Sequence, residues 1–278
     1  MLSSFQVDET LLEKAIWHGG FYLNKQRLTE QTFPLHFEKG SEIDFYCFLR
    51  EPEPIVVDSS MILREEEGWM AVNKPPGLPV QGSRVSIRFS LQEALRNMTG
   101  CKGLSAVHRL DRETSGILLF AKEKRAEAAL MKQFHDQKAK KIYRAVVTSA
   151  ESLPESGKVE GYLIRDFRRL PQNFYRLKPE NNGKGKWSES EFECLKREGE
   201  LALSQIRPKT GRTHQIRVHL ASLGCPILGD DLYGKKSPLL KRMQLHAFQL
   251  ELNAPVGKAS QSVQLTAPVP EDFVLNIP

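Results

Sequence analysis

Residues 117–121, Ile-Leu-Leu-Phe-Ala, are apolar at every position. A strand with one face in water alternates polar with apolar residues, so an unbroken run belongs to a central strand covered on both sides. Such a strand needs a sizeable core, and 278 residues can supply it as one large domain or a main domain with an appendage. Other strand-like segments lie at 69–74 (WMAVNK), 141–147 (KIYRAVV) and 201–207 (LALSQIR). Residues 124–138 read as a helix, with Ala126, Leu130 and Phe134 at a spacing of four. A second helix spans THQIRVHLASLG, residues 213–224, with Thr213 to cap it, Gly224 to end it and a stripe of Ile216, Leu220 and Leu223. Strands and helices do not alternate regularly, which predicts an α+β fold with a mixed, largely antiparallel sheet flanked by helices.

Residues 1–50 read as a separate small αβ module. LLEKAIWHGG is a short helix ending at paired glycines, FYLNKQRL a strand and EIDFYCFL another. REPEPIVVD, with two prolines and several acids, is a linker, so the main domain is expected over 51–278.

Hydrophobic residues at 40%, with ordinary glycine and proline counts, exclude a disordered or fibrous chain. No run approaches the roughly 18 apolar residues of a membrane span, and MLSSFQVDET lacks the basic start and apolar stretch of a signal peptide. Cys47, Cys101, Cys194 and Cys225 are scattered, which fits a reducing compartment and argues against a disulfide framework or zinc site. His214 and His219, five apart, would not share a helical face as metal ligands. The expectation is a soluble cytoplasmic protein without a metal.

Charge is unevenly placed. Residues 1–60 hold 5 basic against 10 acidic side chains, residues 101–150 hold 11 against 5, and residues 161–219 hold 13 against 7. A basic middle suggests an anionic partner, nucleic acid being the commonest, unless it is solvated surface.

Four segments in or beside that middle carry candidate chemistry. In HRLDRETSGILLFAK, residues 108–122, Asp111 stands between Arg109 and Arg112 where a polar turn meets the buried strand. Neighbouring guanidinium groups favour a charged carboxylate, suited to nucleophilic attack or to stabilising a cation at a sugar C1′; the same string serves equally as a structural turn. No second acid is comparably placed for a paired-carboxylate glycosidase, and the Gly-rich loop of a kinase is missing. In RPKTGRTHQIRVHL, Arg207, Lys209, Arg212 and Arg217 gather around a turn and a helix start, a pattern for phosphate or for a solvated basic helix. In KKIYRAVV, Tyr143 either fills the core or stacks on a base. In YLIRDFRRLPQNFYRLK, five basic residues including Arg168 and Arg169 alternate with aromatics, which unpaired RNA needs for its phosphates and bases.

HRLDRETSGILLFAK resembles the central motif of the RluA family of RNA pseudouridine synthases. TGRTHQIRVHL, GCPILGDDLYG and AVNKPPGLPV resemble three further segments of that family, and the likeness covers roughly residues 55–250. The sister family acting on small-subunit RNA usually has Gly before Arg-Leu-Asp and lacks the Thr-Gly-Arg-Thr-His-Gln string, so His108 and His214 favour the RluA branch. The resemblance implies the pseudouridine synthase fold and a cofactor-free isomerase that detaches uracil from its ribose, turns it and rejoins it through C5. It implies that Asp111 is the catalytic carboxylate, acting on C1′ or through C2′, that Tyr143 stacks on the uracil, and that Arg217 pairs with the carboxylate. Arg109 would fill the gap left by the flipped nucleotide, since a stacked uridine hides C1′ and C5. Lys74, His108, Arg168, Arg169, Arg212 and His214 are expected on the RNA-binding surface.

The expected partner is structured RNA, ribosomal before transfer RNA, met by a monomer. The alternative is a non-catalytic RNA-binding or ribosome-assembly factor on the same fold. Two departures stand out. The acidic N-terminal module resembles a degenerate RNA-binding module and suits protein contact as well as RNA. WSESEFECL, residues 187–195, departs from the family pattern and is expected to form a peripheral loop.

Overall fold

The computed structural model describes residues 8–28, 38–48, 52, 54–169, 174–181, 183, 185–235, 240, 242–255 and 261–275, with Glu9 and Arg169 described by backbone only. Two compact units divide the chain. One joins Met1–Ser59 with Leu78–Leu104; the other joins Ser60–Gly77 with Ser105–Pro278. This division cuts across the boundary expected at residue 50. Residues 78–104 group with the N-terminal module because their backbone bonds to it: Ile87 N–H donates to His18 O at 3.0 Å, and Arg27 and Arg88 donate to Ser83 O and Trp17 O.

In the first unit, helix α1 (Glu9–His18) begins at Asp8, whose carboxylate accepts from Thr10 N, and ends at the left-handed Gly19. The segment expected as one strand is instead a hairpin of β1 (Phe21–Leu23) and β2 (Gln26–Arg27). Asn24 and Lys25 both adopt positive φ, 48° and 66°, the backbone of a tight two-residue turn. Strand β3 (Ile43–Phe45) completes a three-stranded sheet in the order β2-β1-β3, and helix α2 (Leu91–Thr99) is capped by Ser90.

The second unit is an 11-stranded sheet over the described residues. Its strands are β4 (Ile62–Glu65), β5 (Trp69–Lys74), β6 (Ser105–Ala106), β7 (Ser115–Ala121), β8 (Lys140–Thr148), β9 (Ser156–Arg165), β10 (Tyr175–Lys178), β11 (Lys186–Glu198), β12 (Leu201–Pro208), β13 (Leu245–Asn253) and β14 (Ser262–Thr266). The main order is β10-β9-β11-β12-β8-β13-β7-β5-β4, with β14 beside β13 and β6 beside β7. Every pairing is antiparallel except β13 with β7. The sheet is therefore mixed and largely antiparallel, as the irregular strand–helix pattern predicts.

All seven residues of β7 are buried, in keeping with its unbroken apolar run. Ile117, Leu119 and Ala121 pack with Ala126 and Leu130 of helix α3 (Lys124–His135). Farther along the sheet, Ala145, Val147 and Ile206 pack with Ile216 and Leu220 of helix α4 (Gln215–Ser222). Gly116 allows the parallel contact: at φ 108°, a Cβ there would stand 2.3 Å from Ala247 O. No other residue fits that approach.

Two expectations are corrected here. WSESEFECL is no peripheral loop but part of β11, with Ser188, Ser190 and Phe192 on its buried face. Ser188 donates to Gly161 O at 2.8 Å and meets His219 Nε2 at 2.9 Å, so His219 donates from Nε2 and the strand holds α4 in place. Thr213 does not cap α4. His214, at φ 57°, occupies the cap position, and Gln215 Oε1 accepts from Arg212 N and Thr210 Oγ1 from inside the first turn. Among the described residues, no helix is long and apolar enough to cross a membrane.

His219 and His246 are both buried, and burial lowers each from 6.5 to about 4. With folded values below unfolded ones, their contribution to stability is complete above pH 6.5 and is lost as pH falls through about 4. Each shift corresponds to on the order of 3 kcal/mol. Urea unfolding across this window should show the decline, and His219→Gln should flatten it; an unchanged slope in that variant would contradict the assignment.

Candidate active site

The turn before β7 and the strand β8 place the first two candidates. Asp111 O accepts from Thr114 N at 3.1 Å, which closes the turn and leaves the Asp111 side chain a quarter exposed at the head of β7. Tyr143 lies opposite Ile206 of β12 and Ala247 of β13. Burial, and secondarily the Asp111 carboxylate, push its phenol above the ordinary tyrosine range. It keeps its proton at neutral pH.

Arg217 arrives from α4. Its Nε and Nη2 donate to the two carboxylate oxygens of Asp230, both at 2.7 Å, while its Nη1 stands 3.7 Å from Asp111 Oδ2. Asp230 is fully buried and also accepts from Leu232 N and Tyr233 N. The guanidinium is thus clamped from behind by one carboxylate and turned toward another. Its carbon lies 5.1 Å from the centre of the Tyr233 ring, and that ring stacks on Phe174 at 4.8 Å. The Tyr233 hydroxyl accepts from Tyr175 N at 3.0 Å and meets His214 Nδ1 at 2.9 Å.

Asp111, Tyr143 and Arg217 line one open cleft with a cavity of about 90 Å³, together with Arg109, Lys141, Arg212 and His214. Arg109 and Arg212 are exposed at its mouth, and Arg212 Nε donates to Trp187 O at 3.0 Å. Lys141 is lowered to about 8, by burial first and the Arg212 charge second. His214 faces the aromatic cluster through Tyr233, so it holds the wall of the cleft.

Of the residues expected on the RNA surface, Lys74 lies inside instead, and His108 is half-buried beside the cleft. Lys74 is wholly buried; its ammonium donates to Pro75 O at 2.7 Å and Arg112 O at 2.9 Å, and burial lowers it to about 7. It pins the loop after β5 to the turn carrying Asp111. Arg112 adds to the same join, its Nε donating to Gly77 O and its carbonyl accepting from Gly77 N. His108 Nε2 accepts from Leu119 N at 3.1 Å, and its ring stacks on Phe134. Burial, with Lys141 nearby, lowers His108 to about 3. Lys74 is a framework group because the strand end folds its side chain inward, while His108 braces β7 from the partly exposed wall of the turn.

The basic–aromatic segment forms an edge hairpin of β9 and β10. Arg168 is exposed yet bonded through Nε and Nη2 to Asp166, and Arg176 bonds Asp166 at 2.7 Å. Asp166 is buried, and Arg168 and Arg176 hold its carboxyl well below the usual range. The Arg169 side chain lies outside the described residues.

Reading the chain by periodicity misses Asp230, Tyr233, Gln215, Asp166 and Lys141. The first two stand in GCPILGDDLYG, a segment matched only by resemblance, so the available signal was an acid and an aromatic in a turn without repeat.

A clamped arginine facing a carboxylate, in a cleft also lined by Arg109, Lys141 and Arg212, suits acid-dependent chemistry on an anionic polymer. Residues 68–222 match the family described as RNA pseudouridylate synthase. The dual-specificity RNA pseudouridine synthase RluA of Vibrio cholerae is 38% identical over 192 residues, covering 68% of this chain and 75% of that one. The ribosomal large subunit pseudouridine synthase C of Rickettsia felis is 32% identical over 284 residues, covering 95% of this chain and 89% of that one. Among solved structures, human RNA Pseudouridylate Synthase Domain Containing 4 superposes with a TM-score of 0.62 at 25% identity, covering 78% of this chain and 91% of that one. The fold is that of the pseudouridine synthases. The chain belongs to their RluA family and is an isomerase that converts uridine in RNA to pseudouridine.

Removing the Asp230 carboxylate leaves the Arg217 guanidinium buried without its counter-charge. Asp230→Ala is therefore expected to cost about 3–5 kcal/mol of stability. Urea unfolding measures the loss, and a cost below about 1 kcal/mol would show that the pair is not the anchor described.

Proposed function

We propose that this enzyme isomerises specific uridines in structured RNA, ribosomal RNA before transfer RNA, with Asp111 as the catalytic carboxylate. The observation that carries the proposal is the approach of Arg217 to Asp111, at 3.7 Å, in a cleft also lined by Tyr143. Preference for ribosomal RNA rests on relatives such as the ribosomal large subunit pseudouridine synthases C and D, of which the latter, from Zymomonas mobilis, is 31% identical over 242 residues.

The target uridine leaves its stack to enter the cleft, since only then are C1′ and C5 within reach of a side chain. Arg109, at the mouth, takes the vacated space. Asp111 acts at the sugar, on C1′ or on the proton at C2′, and Arg217 steadies its charge. The bond from C1′ to N1 breaks, the uracil turns against the Tyr143 ring, and a bond forms from C1′ to C5. C5 loses a proton and N1 gains one, so no redox partner is required and no cofactor or metal is proposed. Tyr143, protonated at rest because burial raises its phenol, stacks on the uracil and assists the transfer of the proton from C5 toward N1. Arg212 and the edge hairpin with Arg168 and Arg169 supply charge for flanking phosphates. We assign the enzyme to the cytoplasm and to a monomeric state. The non-catalytic alternative is disfavoured, because it gives no use for a carboxylate, tyrosine and arginine sharing one cleft.

Asp111→Asn keeps the shape and removes the charge. Pseudouridine formation on total RNA from cells lacking the gene should fall by a factor on the order of a thousand. Near-wild-type conversion by that variant would overturn the mechanism, and an unchanged pseudouridine map in the deletion strain would favour the non-catalytic reading.

A further inference from the structure

Several cations of the second unit carry a counter-ion of their own, and Lys141 of the cleft does not, among the described residues. Along the sheet, Lys140 pairs with Glu251 at 2.9 Å, Lys158 with Glu160 at 2.6 Å, Lys209 with Glu191 at 3.0 Å and Arg207 with Glu193 at 3.3 Å. Lys141, Arg109 and Arg212, which line the cleft beside Tyr143, have no carboxylate within ion-pair distance among the described residues. Lys140 and Lys141 are neighbours on one strand, yet only the residue facing away from the cleft carries its own counter-ion.

Lys141 stands two residues before Tyr143 on β8, so alternation puts both side chains on one face, roughly 7 Å apart along the strand. That span is comparable with the distance from a nucleobase to its own backbone phosphate. The Lys141 ammonium donates to Thr210 O at 3.1 Å, and the Arg212 guanidinium to Trp187 O at 3.0 Å. An ammonium has three N–H donors and a guanidinium five, so both keep donors beyond these carbonyls. Two like charges brought together at a half-buried site repel each other unless an anion joins them.

We propose that Lys141, with Arg212, grips a phosphodiester of the RNA strand beside the target uridine and so fixes how deeply that nucleotide enters the cleft. This makes Lys141 a substrate-positioning residue, distinct from the groups acting on the sugar and base. The inference rests on the pseudouridine synthase reading, which conversion of uridine by the wild-type enzyme tests separately.

The probe is a fluorescein-labelled oligouridylate, titrated with wild-type protein and variants over a range of potassium chloride concentrations. Loss of one phosphate contact lowers the slope of log affinity against log salt by about 0.7 for a single strand. Lys141→Met should show that loss and bind about tenfold more weakly at low salt, as expected for a charge-assisted hydrogen bond. Lys141→Arg should restore the slope, and Lys140→Met should leave it at the wild-type value. Should Lys141→Met fail to fold, Arg212→Gln, on the exposed side of the clamp, is expected to show the same reduced slope. An unchanged slope in folded Lys141→Met or in Arg212→Gln overturns the proposal. So does an equal loss in Lys140→Met, and so does a loss of stabilisation by inorganic phosphate alone with the RNA slope intact.

Discussion

The site depends on the buried ion pair of Asp230 with Arg217. Asp230 spends both carboxylate oxygens on Arg217 and also takes two backbone N–H groups from its own turn. Burying two charges is expensive, and such a pair is weak evidence for stability because desolvation offsets most of the attraction. What it delivers is direction. With Nε and Nη2 fixed at 2.7 Å, Nη1 has one orientation left, toward Asp111 at 3.7 Å. The contrast between the distances matters. The tight partner sets the guanidinium, and the loose partner remains open to a third group.

The electrostatic layout follows the same division between framework and site. Lys74 and His108 carry titratable side chains yet serve as fasteners, one on two carbonyls and the other on a strand N–H. Burial keeps His108 neutral, and it weakens the charge on Lys74. Several of the sheet's outward lysines and arginines pair locally with glutamates, as Lys140 does with Glu251 and Lys209 with Glu191. Among the described residues, Arg109, Lys141 and Arg212 at the cleft have no carboxylate within ion-pair distance, so positive potential gathers there.

Parts of this architecture were legible in the amino-acid string. WMAVNK coincides with β5, and the apolar run after Asp111 is a fully buried strand, because both signals are statements about solvent exposure. Asp111, Tyr143 and Arg217 could be nominated together only by resemblance, since no period links residues so far apart. What escaped notice did so for physical reasons. The Asn24-Lys25 turn lacks the glycine that would advertise it. Strand β11 looks like a loop because its inner face carries Ser188 and Ser190, which pack against His219 and Gln215 rather than against oil. Nor can a lysine at the end of a strand declare whether it emerges into water or turns under the next loop. Lys74 turns under.

The parallel pairing of β13 with β7 has a consequence for the order of assembly. Ser115 and His246 meet side by side although 131 residues separate them in the chain. Until β13 arrives, β7 lacks its neighbour on that side and β8 lacks one of its two, so the two walls of the cleft are not joined. Contacts of such long range close late, after their loop entropy has been met by more local structure. A growing chain on the ribosome therefore carries Asp111 and Tyr143 well before it can hold them together. Joining the two walls of the cleft waits on the synthesis of β13, Leu245–Asn253.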